Sequence, residues 1–191
     1  LLLCGVLLIA SLGQAQDKTQ YYTYKHAGTF EIDWVGFYDK IDEWTAATRE
    51  KLPHKLDIAY GDDEKQKLDL YWPREKSSPA PVFLFIHGGG FREGDRSHYG
   101  YVAGPFAKSG FITAVTSYRL TPQGFHYPSQ PEDIRAALSW LYRNVAGYGG
   151  DPEQIYVGGH SAGGILTAEV CVRGTWLKEK GLPSDLIKGC A

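Results

Sequence analysis

Two short runs of apolar and β-branched residues limit the fold of this chain more than any other feature of its sequence. They are Val82–Ile86 and Phe111–Thr116. Runs without polar alternation are typical of strands that are buried on both faces, as in a parallel sheet. Tyr99–Ser109, which lies between the runs, is long enough for a crossover helix, and Gly110 follows it where a left-handed cap is favoured. The pattern therefore predicts a βαβ unit.

The rest of the chain also alternates between strand and helix patterns. Apolar residues at helical spacing predict an amphipathic helix within residues 30–52, and a capping box at Ser129–Glu132 predicts a helix that stops near Gly147. Strands are predicted at Lys55–Ala59, Lys67–Trp72, Gln154–Val157 and Leu186–Ala191, and a last helix from Gly163 to about Arg173. This alternation predicts the α/β class, with a mostly parallel sheet, helices on both faces and an antiparallel edge.

Charge and composition exclude several classes of partner. The 191 residues carry a formal net charge of −2, and 43% of them are hydrophobic, as in an ordinary globular protein. Proteins that bind nucleic acids or anionic membranes carry a surface with clustered Lys and Arg side chains, and this sequence shows no such cluster. No group of residues has the spacing of a zinc or calcium site. We therefore expect a small, weakly charged substrate, no metal, no nucleic acid and no stable membrane anchor.

The first residues have the character of an export signal. Leu1–Leu12 is apolar but shorter than the roughly 20 residues that span a bilayer. Small residues at Gly13 and Ala15 fit a signal-peptidase site, which predicts cleavage after Ala15 and a secreted or periplasmic protein. Since neither Met nor a basic segment precedes the run, we expect the N-terminus to be incomplete.

One pentapeptide has the pattern of a catalytic serine turn. Gly159-His160-Ser161-Ala162-Gly163 lies between a predicted strand and a predicted helix, which is the context that a G-x-S-x-G motif requires. Gly159 and Gly163 would let the strand and helix approach closely, and Ser161 would stand clear of the sheet with free helix amides beside it. Ser161 is therefore the predicted nucleophile.

A second motif follows the buried strand Val82–Ile86. His87-Gly88-Gly89-Gly90 has glycines whose amides can hold the negative oxygen of a tetrahedral intermediate. We assign this oxyanion role to Gly89 and Gly90, with Gly88 as an additional candidate, together with the amide of Ala162. His87 is interpreted as an anchor of this loop.

The general base and the acid of a catalytic triad are expected outside these residues. In this type of site the acid and then the histidine follow the serine along the chain, and no histidine follows Ser161. Asp185 follows it but precedes the strand at Leu186. The sequence also ends where a strand has just begun. Because no candidate for the general base follows Ser161, we expect the chain by itself to be nearly inactive.

Taken in order, the motifs resemble those of α/β-hydrolases, namely the hormone-sensitive-lipase-like and feruloyl/acetyl esterase branch and the bacterial kynurenine formamidases. The likeness covers roughly residues 68–191 and is carried by Asp69–Pro73, His87–Phe91 with Gly94–Asp95, Ser117–Pro122, Tyr148–Pro152 and Gly159–Gly164. It implies an α/β-hydrolase fold, incomplete at its C-terminal end, and a carboxylic ester hydrolase that needs no cofactor. It also implies that residues 21–51 form part of a cap.

Three segments and three functions result from this reading. Residues 1–15 are the predicted signal peptide, residues 16–54 an N-terminal segment and candidate cap, and residues 55–191 part of a catalytic domain. An arylformamidase or amidase with the same site, or a non-catalytic hydrolase-like binding module, remain alternatives to the esterase. Cys171 and Cys190 have two interpretations, a disulfide or two unpaired thiols.

Overall fold

A computed structural model of the protein describes residues 33–75 and 79–191. The predicted signal peptide at residues 1–15 therefore lies outside the described residues. The chain divides into two compact units, Leu1–Asp39 and Lys40–Ala191. In the described part of the first unit, the Asp33 carboxylate accepts a 2.9 Å bond from the Gly36 amide, which caps the first helix.

The second unit is organised around a mixed sheet. Its strands are β1 (His54–Ala59), β2 (Lys67–Tyr71), β3 (Ala80–Ile86), β4 (Ile112–Thr116), β5 (Gly150–Gly159) and β6 (Ile187–Cys190), in the spatial order β1-β2-β4-β3-β5-β6. The strand β2 is antiparallel to both β1 and β4, whereas β4, β3, β5 and β6 are parallel. The predicted α/β class, its mostly parallel sheet and the antiparallel edge are confirmed.

Helices cover both faces of the sheet. They are α1 (Trp34–Lys51), α2 (Ala103–Lys108), α3 (Ser129–Asn144), α4 (Ala162–Val172) and α5 (Thr175–Glu179). Because side chains alternate along a strand, the two faces of β3 meet different helices. Phe83 stacks on Phe106 of α2 at 3.9 Å, whereas Leu84 belongs to the core that contains Ile134 of α3 and Leu166 of α4.

The predicted crossover helix is wrong in its extent. Only Ala103–Lys108 is α-helical, and 3₁₀ turns at Arg96–His98 and Gly100–Val102 precede it. Pro105 explains the late start, because a proline lacks the amide for a bond to the fourth preceding carbonyl and is tolerated only in a first turn. The predicted left-handed cap is confirmed, since Gly110 has φ 83°.

The predicted capping box is also wrong. α3 begins at Ser129 itself, and its N-cap is Pro128, whose side chain makes no capping bond. The Glu132 amide bonds to the Pro128 carbonyl at 3.1 Å, so Ser129 already lies within the first helical turn. The Glu132 carboxylate pairs instead with Arg135 at 2.9 Å.

The strand before the serine turn is longer than predicted. Instead of Gln154–Val157, β5 covers Gly150–Gly159, because Gly150 pairs with Ala80 and Gly159 pairs with Ile86 of β3. Pairing with a neighbouring strand thus extends β5 through residues that have little strand propensity of their own. As a result, β5 runs directly into the turn that carries Ser161.

No helix within the described ranges has both the length and the apolar character that a membrane crossing requires.

Candidate active site

Ser161 occupies a sharp turn between a strand and a helix. β5 ends at Gly159 and α4 begins at Ala162, so only two residues connect them. Ser161 has φ 54° and ψ −118°, a left-handed conformation that is uncommon for residues with a side chain, and it is exposed. The turn is held by the His160 amide, which donates to the Ile86 carbonyl at 3.2 Å. The predicted strand–turn–helix context is confirmed.

Gly159 and Gly163 allow the elements at this turn to approach each other. A Cβ atom placed on Gly163 would overlap the Ile86 carbonyl oxygen, and one placed on Gly159 would lie 2.5 Å from the Gly163 carbonyl group. Neither position can hold a larger residue unless the backbone moves. Gly159 and Gly163, the two glycines of the G-x-S-x-G motif, therefore allow β3, β5 and α4 to pack closely together.

The glycine loop after β3 lies against the serine. A Cβ atom placed on Gly88 would lie 3.1 Å from the Ser161 Cβ atom and 2.9 Å from the His160 carbonyl oxygen. Next in the loop, Gly89 and Gly90 have φ of 107° and 59°. Glycine adopts such values without strain, which lets the loop turn tightly beside the serine. The structure thus brings together the two motifs, which are far apart in the sequence.

His87 is fully buried beneath this loop. Its Nδ1 atom lies 2.7 Å from the Gly88 carbonyl oxygen, and because a carbonyl can only accept, Nδ1 must carry the proton. Burial lowers the pKa of His87 from 6.5 to about 4, so the imidazole is neutral at pH 7. Its Nε2 atom has no hydrogen-bond partner among the described residues. This geometry fits the predicted anchoring role and not that of a base for Ser161.

Asp95, which follows the glycine loop and was named above only as part of the family resemblance, lies in a network of polar and charged side chains. Asp95 accepts from Lys65 Nζ at 2.8 Å, from the Ser117 hydroxyl at 3.1 Å and from the Ser97 amide at 3.0 Å. Burial raises the pKa of Asp95, but the Lys65 charge and hydrogen bond, the Ser97 amide and the Arg96 charge outweigh it and lower the pKa overall. Asp95 is therefore ionised at neutral pH.

Another acid lies close to the glycine loop. A Cβ atom placed on Gly89 would lie 3.0 Å from the Glu93 Cγ atom. Burial raises the pKa of Glu93, because a half-desolvated carboxylate is less stable than one in water.

The other described histidines have separate surroundings. His54 Nδ1 lies 2.9 Å from the Leu52 carbonyl, His98 pairs with Asp42 at 2.5 Å, and His126 and His160 are exposed. Asp185, the acid that follows Ser161, is exposed and accepts from Lys188 at 2.6 Å. In these contacts, the partner of His54, His98 and Asp185 is a residue other than Ser161.

The two cysteines form a disulfide. Cys171, near the end of α4, is bonded to Cys190 of β6, with Cα atoms 6.8 Å apart. Of the two interpretations of these cysteines, the structure supports the disulfide. The bond connects the helix that follows Ser161 to the last described strand. Within residues 33–75 and 79–191, no three His, Cys, Asp or Glu side chains group as metal ligands would.

The arrangement suits nucleophilic attack on a carbonyl group. An exposed hydroxyl stands at the N-terminus of α4, where the first amides of a helix lack partners within the helix. A glycine-rich backbone lies beside it. Together these groups can hold an oxygen that becomes negative as its carbonyl carbon is attacked.

The strand order, the serine turn after β5 and the glycine loop after β3 define the class of α/β-hydrolases. The chain belongs to the BD-FAE family, whose model matches residues 68–181. The structure of esterase B from Lactobacillus rhamnosis (HN001) is similar, with a TM-score of 0.66 and 27% identity over 78% of this chain and 50% of that chain. The predicted resemblance to α/β-hydrolase esterases is confirmed.

Two curated relatives are esterases from Mycobacterium tuberculosis. Esterase LipC (strain ATCC 25618 / H37Rv) is 36% identical over 143 residues, which cover 68% of this chain and 35% of LipC. Carboxylesterase NlhH (strain CDC 1551 / Oshkosh) is 39% identical over 100 residues, or 52% of this chain and 31% of NlhH. The matching part of the chain thus spans about a third of the length of each of these two relatives.

Proposed function

We propose that this protein is a serine hydrolase that cleaves carboxylic esters through an acyl-enzyme at Ser161. The observation that carries the proposal is the juxtaposition of Ser161, exposed and held at positive φ, with the backbone of Gly88. Membership of the BD-FAE family and the likeness to LipC and NlhH, which are named as esterases, support the same reaction class.

In the proposed reaction, the Ser161 oxygen forms a bond to the ester carbonyl carbon as its proton passes to a general base. The electrons of the C=O bond move to the oxygen, which the amides of Gly88, Gly89, Gly90 and Ala162 stabilise. The intermediate collapses and the bond to the alcohol oxygen breaks as the protonated base returns its proton to that oxygen, so the alcohol leaves and an acyl group remains on Ser161. Water then attacks that group and releases the acid.

The glycine amides are proposed as oxyanion donors because the loop is already held in place. Carbonyl groups of this loop accept hydrogen bonds from the rest of the protein, as the Gly88 carbonyl does from His87 Nδ1. Donors that are fixed before the reaction cost no reorganisation when negative charge develops, and each is worth roughly 3 kcal/mol. The base and the triad acid remain expected outside these 191 residues.

The test is Ser161→Ala in the complete protein, with Ser109→Ala, an exposed serine at the end of α2, as the matched control. We expect Ser161→Ala to lower kcat for p-nitrophenyl acetate by at least about 10⁴-fold, because the nucleophile is lost, and Ser109→Ala to retain activity. Labelling by a fluorophosphonate should be lost in Ser161→Ala and retained in Ser109→Ala.

Retained turnover in Ser161→Ala would remove this serine from the mechanism. A complete protein that neither hydrolyses esters nor reacts with the fluorophosphonate would instead favour the non-catalytic binding module. The amidase alternative is separated by comparing kcat/KM for N-formylkynurenine with kcat/KM for short acyl esters. A preference for the formamide would replace the esterase assignment and leave the site unchanged.

A further inference from the structure

The carbonyl groups of His87, Gly88 and Gly89 all accept hydrogen bonds. The Tyr118 hydroxyl donates to the His87 carbonyl at 3.1 Å and to the Gly88 carbonyl at 3.4 Å. The Gly88 carbonyl also accepts from His87 Nδ1 at 2.7 Å. The Gly89 carbonyl accepts from the amides of Arg92–Glu93, at 3.0 and 3.1 Å. Three successive peptide units are therefore fixed by their oxygen atoms.

Fixing these oxygens also fixes the amides that matter for catalysis. In a planar trans peptide, the C=O group and the following N–H group point in opposite directions. A bond that holds the carbonyl of His87, Gly88 or Gly89 therefore also sets the direction of the N–H group in the same peptide unit, that of Gly88, Gly89 or Gly90. Glycine has no side chain to limit such a peptide rotation, so external contacts must set the orientation.

Tyr118 is suited to this task because its side chain is closely packed. Its side chain is fully buried, and its ring stacks on the His87 imidazole with centroids 4.4 Å apart. Burial raises the pKa of Tyr118, so the hydroxyl keeps its proton as a donor. Tyr118 also lies outside the glycine loop, in the segment that follows β4, and thus ties the loop to a neighbouring strand.

We propose that Tyr118 is a positioning residue for the oxyanion site: its hydroxyl holds the peptide units at His87 and Gly88 so that the loop amides face the reacting oxygen. The inference rests on the proposed function. It assigns Tyr118 no contact with substrate, because its hydroxyl bonds to the carbonyl side of the loop. Its contribution therefore appears only when the oxygen becomes negative.

The test compares Tyr118→Phe with Tyr60→Phe in the complete protein. The Tyr60 hydroxyl also donates to a backbone carbonyl, that of Ser117 at 2.7 Å, but not to the glycine loop. Both variants keep the ring and lose one hydroxyl donor, so they should destabilise the fold to a similar extent. Only Tyr118→Phe should disturb the oxyanion amides.

For Tyr118→Phe we expect kcat for p-nitrophenyl acetate to fall about tenfold or more, with KM changed less than about threefold. Loss of a donor that bonds directly to the oxyanion lowers kcat by about 10²–10³-fold, and a residue that only orients such donors should have a smaller effect. The inhibition constant of a trifluoromethyl ketone, which forms an oxyanion on the serine, should rise in parallel. Amide exchange at Gly88–Gly90, followed by ¹⁵N-glycine NMR, should become faster. Tyr60→Phe should leave kcat within about twofold.

The outcomes separate the two proposals. If the wild-type protein hydrolyses esters and both variants behave alike in kcat, in the ketone inhibition constant and in amide exchange, the positioning role of Tyr118 is wrong while the esterase assignment stands. If the wild-type protein has no ester turnover and no reaction with a fluorophosphonate, the proposed function fails and the role of Tyr118 fails with it.

Discussion

Ser161 is held in a backbone conformation that costs free energy. A residue with a side chain at φ 54° and ψ −118° is strained by about 1–3 kcal/mol, which the surrounding packing must offset. That packing is specific, since Gly163 leaves no space for a Cβ atom beside the Ile86 carbonyl. The chain thus stores strain at a hydroxyl that it presents to solvent beside the glycine loop.

His87 makes the stability of the protein depend on pH. Its pKa is about 4 when folded and 6.5 in the unfolded chain. Above pH 6.5 both states are neutral, and the contribution to stability is complete. As the pH falls from 6.5 to 4, only the unfolded state takes up the proton, so the free energy of unfolding decreases by about 3 kcal/mol in total.

Replacing His87 should remove this part of the pH dependence. We expect the free energy of unfolding in urea to fall less steeply between pH 6.5 and 4 for His87→Asn than for the wild type. The two slopes should differ by up to about 1.4 kcal/mol per pH unit. His126→Asn, at an exposed position, is the control and should keep the wild-type slope. Equal slopes in His87→Asn and the wild type would contradict the assignment of a buried neutral imidazole.

Most elements could be placed from the sequence, and the errors have local causes. The buried runs of β3 and β4 and the helix after Ser161 are where their patterns indicated. The capping box predicted at Ser129–Glu132 was wrong because a Ser followed three residues later by a Glu does not determine the residue at which a helix begins. β5 was underestimated at both ends, because its first and last residues are strand only through pairing with β3.

At the scale of elements, the disulfide has the clearest consequence. Cys171 and Cys190 are 19 residues apart and connect α4 to β6. Changing both to serine should lower the free energy of unfolding by about 3 kcal/mol, since the unfolded chain regains the freedom of the open loop. The measurement is urea unfolding of the double variant and the wild type, each with and without dithiothreitol.

The reductant provides an internal control. Dithiothreitol should bring the wild type to the stability of the Cys171→Ser/Cys190→Ser variant and leave that variant unchanged. A wild type that is insensitive to the reductant would mean that the bond does not stabilise the native state. The secreted or periplasmic location stays a prediction.

At the scale of the molecule, a network of charged side chains, in which Arg96 and Asp69 are buried, connects the antiparallel edge to the segment after the glycine loop. Arg96 donates to Asp69 of β2 at 3.0 Å and to Asp57 of β1, and the Arg49 guanidinium of α1 lies 3.5 Å from Asp69. Burial raises the pKa of Asp69 despite these cations, so desolvation outweighs the attraction. Such a network adds little net stability but penalises the loss of one partner.

Removing Arg96 should therefore be costly. We expect Arg96→Met to lower the free energy of unfolding by about 3–5 kcal/mol, because Asp69 is left buried without its main partner. Lys40→Met, which breaks the exposed pair with Glu43, should cost less than about 0.5 kcal/mol. Thermal or urea unfolding at neutral pH distinguishes these values.

A double variant tests the coupling. Arg96→Met combined with Asp69→Leu should lose about 1–3 kcal/mol less than the sum of the two single losses, because the second change removes the charge that the first left unpaired. Strict additivity would show that the two side chains do not depend on each other.

The sequence by itself determined the α/β class, the serine turn and the glycine loop, because each depends on local patterns of apolar, glycine and serine residues. Only the tertiary structure decided that Gly88 lies against Ser161, that Tyr118 holds the loop carbonyls, and that Cys171 meets Cys190. These contacts join residues that are distant along the chain. They form because parallel strands place the ends of β3 and β5 side by side, which no local pattern encodes.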